Sequence, residues 1–305
     1  MPPTNLGWIQ PEDRTPYQIE LDQQIQSRMP VFAISGKYDE PTNKQALLYK
    51  FIKDHKPFYQ QTGSCVGCGL GMALWCLESV EVHQLGQLED PICPFWLLPY
   101  GKSREISGLL GRGEGSFGSA AIEAIQKFGV LPSNHPDVPQ VNVTDDSLVW
   151  GEKAELDWSD GQKISDKFLS PAKKHLVKSS ARLHNWQDCK ASLINGYPIT
   201  CASNWGGKMN PPIQGNPAIL LNTRVTTWGH QMSCLGWAEH PEFGDIFWIQ
   251  NSWGKSHGTS PGHYQEPAGG FWIKASEMDW ICRTGEVFSL SNFAGFPAQK
   301  LDWFI

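Results

Sequence analysis

The sequence predicts an α+β protein of two lobes with a cleft between them. Helix-type patterns fill the first half of the chain and strand-type patterns the second, which places helices and antiparallel sheet side by side rather than in alternation. The chain has 305 residues, enough for one large domain or two small lobes with a full core. Its 40% hydrophobic and 18% charged residues are the balance of a folded globular protein. No internal repeat is visible.

Residues 1–50 are rich in Pro, Gln and Asp with weak periodicity, and are expected to form an arm packed on the body or on a partner. The helical lobe is expected over 51–180. QALLYKFIKDHKPF (45–58) predicts a short helix ending near Pro57. CVGCGLGMALWCLESVEV (65–82) has small and apolar residues all round and no Pro, so it predicts a buried helix despite its three glycines. PFWLLPYGKSREISG (94–108) and SFGSAAIEAIQKFG (116–129) predict two more, the latter with Lys127 in its last turn and Gly129 to cap it. The polar, turn-rich run from 131 to 180 (LPSNHPDVPQVNVTDDS at its start) predicts loop with short helices.

The β-rich lobe is expected over 181–305. WQDCKASLINGYP (186–198) reads as a helix and a turn. ITCASNW (199–205), GHQMSCLGWAEH (229–240), DIFWIQNSW (245–253) and GGFWIKAS (269–276) read as strands bounded by Gly and Pro.

Charge and composition exclude several functions. A formal net charge of -6 without a basic stripe argues against nucleic-acid binding, which needs clustered Lys and Arg on the phosphates. The first 24 residues lack the charged-then-apolar order of a signal peptide. No apolar run approaches the roughly 20 residues that span a bilayer, so no membrane association is expected. The expected location is the cytoplasm, or a particle packaged from it. There the eight cysteines (65, 68, 76, 93, 189, 201, 234, 282) are expected as free thiols, and the glycosylation-type sequon Asn142–Thr144 as idle.

Three stretches carry chemistry. QQTGSC (60–65) puts a cysteine at a helix start, where the helix dipole favours thiolate and unpaired backbone N–H groups can hold an oxyanion. WGHQMSCLGW (228–237) and FWIQNSWG (247–254) put a histidine at the start of one strand and an asparagine at the end of the next. If those strands pair, His230 can face Cys65 while the Asn251 side-chain carbonyl accepts from the far ring nitrogen.

In these segments the chain resembles the papain family of cysteine peptidases, and more closely its bacterial and phage-like members with a GSCVG nucleophile loop. GSCVG, GHQMSCLGW and FWIQNSWG resemble the family's nucleophile, histidine and asparagine segments. GEGSFGSAAIEAIQKFGV (113–130) resembles its glycine-containing substrate loop and following helix, and GWIQPEDRTPY (7–17) the entry segment of some bacterial members. The resemblance spans residues 60 to 280 in the family's order, and NSWG is its most specific part. It implies a helical lobe plus an antiparallel β-barrel-like lobe with the active site in the cleft between them, and catalysis there by Cys65, His230 and Asn251, with Trp253 covering the pair. It also implies a substrate subsite at Gly113, Glu114, Gly115 and Ser116, with peptide or protein as substrate and no cofactor.

Cys65 lies 165 residues before His230 (230 − 65) and 186 before Asn251 (251 − 65). The family spacing is about 130–150, which implies an insertion within 131–180 or 206–213. The chain departs from the family in three places. Cys68 competes with Cys65, although only Cys65 directly follows Gly-Ser. The family's oxyanion-hole glutamine falls six residues before the nucleophile, where Tyr59 stands, leaving Gln60 or Gln61 for that role. His257 replaces the family's second tryptophan.

Blander readings exist for each residue. Cys65 can be a buried structural thiol, His230 a packed strand residue and Asn251 a turn residue. A zinc reading of Cys65-x-x-Cys68 lacks a second pair, so no metal is expected. His240, His257 and His263 are expected as solvated loop residues, with a place at the border of the site also open to His257. The sequence also admits a papain-like scaffold serving as a component of a phage particle or other assembly, and an amidase acting on cell wall or isopeptide bonds.

Overall fold

The computed structural model describes residues 7–30, 41–85, 91–161, 164–208, 213, 215–258 and 260–293. Parts of the expected arm (1–6 and 31–40) and of the possible insertion at 206–213 (209–212, together with 214 beyond it) lie outside them.

The chain enters through an extended segment at 7–10 and helix α1 (Pro16–Ser27). α1 opens on a capping box in which Gln18 N donates to Thr15 Oγ1 and Thr15 N to Gln18 Oε1. Next come strand β1 (Gln45–Leu47) and a 3₁₀ turn at Leu48–Phe51 where a helix was expected. Tertiary pairing overrides the local pattern there, because Gln45, Ala46 and Leu47 pair with Ala238, Trp237 and Gly236 of the main sheet.

Helix α2 (Cys65–Leu85) is the axis of the molecule. By length and composition its residues 65–84 could cross a membrane, although no such run was expected; here the helix is buried inside the protein. Its glycines, each costing about 1 kcal/mol against Ala in a helix, have a packing reason. A Cβ on Gly67 would lie 2.5 Å from the Trp96 ring, and one on Gly69 3.0 Å from Gln231 of the sheet. α2 thus touches both lobes through bare backbone.

The helical side adds β2 (Pro94–Phe95), α3 (Leu97–Ile106), α4 (Gly118–Lys127), β3 (Leu131–Pro132), the hairpin β4 (Asn142–Thr144) and β5 (Ser147–Val149), α5 (Glu152–Ser159) and α6 (Asp166–Ala172). Its core is aromatic. Phe95 meets Trp158 edge-on at 4.6 Å, and Trp96 meets Trp150 at 5.6 Å.

The second side is an antiparallel sheet of β6 (Val177–Arg182), β7 (Ile199–Lys208), β8 (Thr223–His240), β9 (Gly244–Gln250), β10 (Gly270–Lys274) and β11 (Glu286–Phe293), in the order β10-β9-β8-β7-β11-β6 with β1 on β8. Helices α7 (Trp186–Ile194) and α8 (Ala275–Thr284) pack on it. α2 lies against β8, and Ser233 Oγ donates to Gly69 O at 2.6 Å. The two layers meet there, which makes the architecture α+β with a seam between them along the N-terminal turns of α2.

Candidate active site

Cys65 is the first residue of α2 and sits wholly inside the protein. Ser64 opens the helix, its carbonyl accepting from Gly67 N at 2.9 Å and Cys68 N at 3.1 Å. Burial pushes the Cys65 thiol up to about 12, against the pull of main-chain groups of Gln231, Val66 and Trp8. Gln231 follows His230 directly, so the thiol and the imidazole segment meet at this seam. Cys68 lies one turn deeper. Burial, then the negative charge of Glu155, push its thiol well above the ordinary cysteine range.

His230 lies well inside β8 rather than at its start, because β8 extends N-terminally to Thr223, and it pairs with Ser203 of β7. Asn251 follows the last residue of β9, and the hairpin register, with Ser233 opposite Gln250, carries it to His230. Asn251 Oδ1 lies 2.8 Å from His230 Nε2 and also accepts from Ser252 N at 2.7 Å. Accepting from Nε2–H assigns the proton of the neutral ring to that nitrogen and the lone pair to Nδ1. Trp253 stacks on the imidazole at 4.7 Å and 27°. The site is thus roofed by an aromatic plane that keeps water from the His–Asn bond.

Gln60 is buried and is drawn to the asparagine segment. Its N donates to Ser252 O at 2.9 Å, its Oε1 accepts from Ser252 Oγ at 2.5 Å, and its Nε2 donates to Thr62 O at 2.8 Å. Gln61 is exposed, and its side chain reaches Gln60 O at 3.5 Å. The two glutamines therefore differ sharply in position: only Gln60 is fixed beside the residues flanking Asn251.

The glycine loop lies across the seam. Gly113 faces open space, while the Glu114 carboxylate accepts from Gly63 N. Gly115 N donates to Tyr100 Oη at 3.0 Å and its carbonyl accepts from Arg104 Nη1 at 2.5 Å, while Ser116 is occupied by the chain's own entry segment. Ser116 N donates to Gly7 O at 2.8 Å, and Ile9 N to Ser116 O at 2.9 Å. A Cβ on Gly7 (φ +85°) would stand 1.9 Å from Gly63 O, and one on Gly229 2.5 Å from Trp8 O. Residues 7–9 therefore run between the helical side and β8, directly over Cys65.

This strap is clasped by a residue that sequence reasoning missed. Glu286, buried at the start of β11, accepts from Trp8 Nε1 at 2.6 Å, Arg14 Nη2 at 2.8 Å and the backbone N–H groups of Gly118 and Ser119 at 3.0 and 3.2 Å. Burial alone would raise its pKa. Arg14, Trp8 and the two amides outweigh that and hold it below the usual carboxylate range. Arg14 also pairs with Asp22 at 2.6 Å and donates to Ile9 O at 3.0 Å. The capping pattern at Thr15–Gln18 was the available signal that the arm is built rather than loose.

Three histidines expected in solvent divide differently. His240 is buried, with Nε2 2.8 Å from Pro217 O and its ring stacked on Phe243, because β8 continues through it. His257 borders the roof, Nδ1 lying 2.7 Å from Trp253 O. His263 is exposed. All eight cysteines are buried free thiols.

No family model matches the chain, and no curated protein matches it. Solved structures do. Xylellain, a cysteine protease from Xylella fastidiosa, superposes with a TM-score of 0.61 at 18% identity, over 94% of this chain and 96% of that one. Procathepsin B S9 from Trypanosoma congolense gives 0.55 at 12%, over 94% and 87%. Digestive procathepsin L 3 from the larval midgut of Tenebrio molitor gives 0.53 at 11%, over 90% and 79%. The fold is the papain-like one, an α+β pair of lobes meeting at a cleft.

Proposed function

We propose that the chain is a papain-type cysteine peptidase hydrolysing peptide bonds, with Cys65 as nucleophile, His230 as acid and base, and Asn251 holding the ring. The observation that carries this reading is the His230–Asn251 bond at 2.8 Å under the Trp253 ring, beside the thiol that opens α2. The Cys65 thiolate attacks the amide carbonyl carbon, and His230 delivers a proton to the departing amine nitrogen. Water, giving a proton to His230, then releases the acid from the acyl-enzyme. The oxyanion takes the Cys65 N–H and the amide of Gln60. Ser252 orients that amide by binding its oxygen, which turns the NH₂ group away from Ser252. A substrate backbone can pair with Ser116 only after residues 7–9 leave it.

Cleavage of a peptide library by the wild type beside Cys65→Ala tests the reading. Products from the wild type alone support it, and equal cleavage by both sinks it.

The fully covered Cys65 favours a second reading, a papain-like scaffold working as a component of a larger assembly. A peptide-based thiol reagent separates the two. Peptidase function requires Cys65 to outpace a free cysteine once the strap is open, and a scaffold does not.

A further inference from the structure

Residues 61–64 form a short irregular link between two groups whose relative placement the proposed chemistry requires, the Gln60 amide and the head of α2. Such a link keeps one conformation only where something outside it holds it. What holds it is a carboxylate. Glu155, fully buried in α5, accepts from Gln61 N at 3.0 and 3.1 Å, Thr62 N at 3.0 Å, Thr62 Oγ1 at 2.8 Å and Ser64 Oγ at 2.7 Å.

Burial and hydrogen bonds shape its titration. Burial raises its pKa, and the opposing pull comes from Ser64, Thr62 and Gln61. A buried carboxylate held by hydrogen bonds is costly to keep, and among the described residues its donors lie within the four residues before the nucleophile.

The consequences run in two directions. Thr62, held by both its N and its Oγ1, presents its carbonyl to Gln60 Nε2 at 2.8 Å and so sets the tilt of that amide. Ser64, held by its Oγ, offers the carbonyl on which the first turn of α2 is built. One side chain therefore fixes both ends of the oxyanion site. We propose that Glu155 is a positioning residue for peptide hydrolysis, setting the Gln60 amide against the Cys65 N–H. It touches neither thiol nor substrate, and the inference rests on the peptidase reading above.

Glu155→Gln tests it. The amide keeps the size but replaces one accepting oxygen with a donor that faces other donors. Because a misplacement of about 1 Å in a catalytic group can lower rate roughly 100-fold, kcat on a peptide substrate is expected to fall by about that factor with KM little changed. Alkylation of Cys65 by iodoacetamide needs no oxyanion and is expected to keep the wild-type rate. Thr62→Val with Ser64→Ala, which removes two hydroxyl donors and keeps the carboxylate, is expected to show the same split in weaker form. It serves as the test if Glu155→Gln does not fold.

A lower melting temperature with unchanged kcat would make Glu155 fold support only and overturn the proposal. Turnover and alkylation falling in parallel would do the same. If wild type and Cys65→Ala cleave equally, the thiol reading itself fails and takes this role with it; that control separates the two failures.

Discussion

Replacing Arg14 by alanine is expected to uncover Cys65. Arg14 is nearly inaccessible and pairs with Glu286 at 2.8 Å and Asp22 at 2.6 Å, while its Nε holds the strap carbonyl of Ile9. Removing one partner of a buried ion pair costs about 3–5 kcal/mol. Trp8 Nε1 and the amides of Gly118 and Ser119 remain on Glu286, so part of the clasp survives. Even the lower figure of about 3 kcal/mol, if it falls on the closed strap, raises the open fraction roughly 100-fold. The assay is the rate of iodoacetamide addition at neutral pH, followed by intact mass and peptide mapping. All eight cysteines are buried, so the number of adducts reports the kind of opening. Strap release gives one fast adduct, on Cys65, while global unfolding labels all eight together. A Cys65 rate no faster in Arg14→Ala than in wild type, or labelling of all thiols in concert, would refute the clasp argument.

Three further outcomes follow from the site. Gln60→Ala is expected to lower kcat by about 10²–10³, the usual effect of removing one oxyanion donor, with little change in KM; an unaffected kcat excludes its amide from the oxyanion site. Asn251→Ala removes the acceptor on His230 Nε2 and is expected to lower kcat/KM while leaving Cys65 alkylation measurable, and a variant as active as wild type would dismiss the pairing as structural. Burial holds the closed thiol near 12, so below that value its thiolate fraction and its alkylation rate climb about tenfold per pH unit, without a plateau through pH 10. In Arg14→Ala the exposed thiol loses that desolvation, its pKa falls, and the plateau is expected at lower pH. Identical profiles for the two proteins would contradict the assigned cause.

Much of this was legible in the letters because the relevant signals are local. An all-round apolar run without Pro points to a helix with no polar face, and α2 is one, buried inside the protein. The apolar runs GHQMSCLGWAEH and DIFWIQNSW form a hairpin whose register brings His230 and Asn251 together. What was missed depends on distant partners. The segment 45–51 carries a helical pattern but is captured as a strand and a 3₁₀ turn by the free edge of β8 beside Trp237. β6 and β11, at VKSSAR and EVFSLSNF, alternate weakly because Ser180, Ser289 and Ser291 are buried too. Glu155 and Glu286 look like surface acids in sequence. Nothing local says that the donors to Glu155 arrive from nearly 100 residues away and those to Glu286 from 167 to 278 residues away. Thr15–Gln18 was readable, since its capping spacing announces a helix even where apolar periodicity is faint.

The account stands or falls on which sulfur forms the acyl bond. Rapid mixing of the protein with a peptidyl ester, acid quench and peptide mapping by mass spectrometry measures this directly. The account predicts a transient acyl adduct on Cys65, present during turnover and gone when substrate is exhausted. Ester or peptide turnover with no adduct on Cys65, or with the adduct on Cys68, would contradict it.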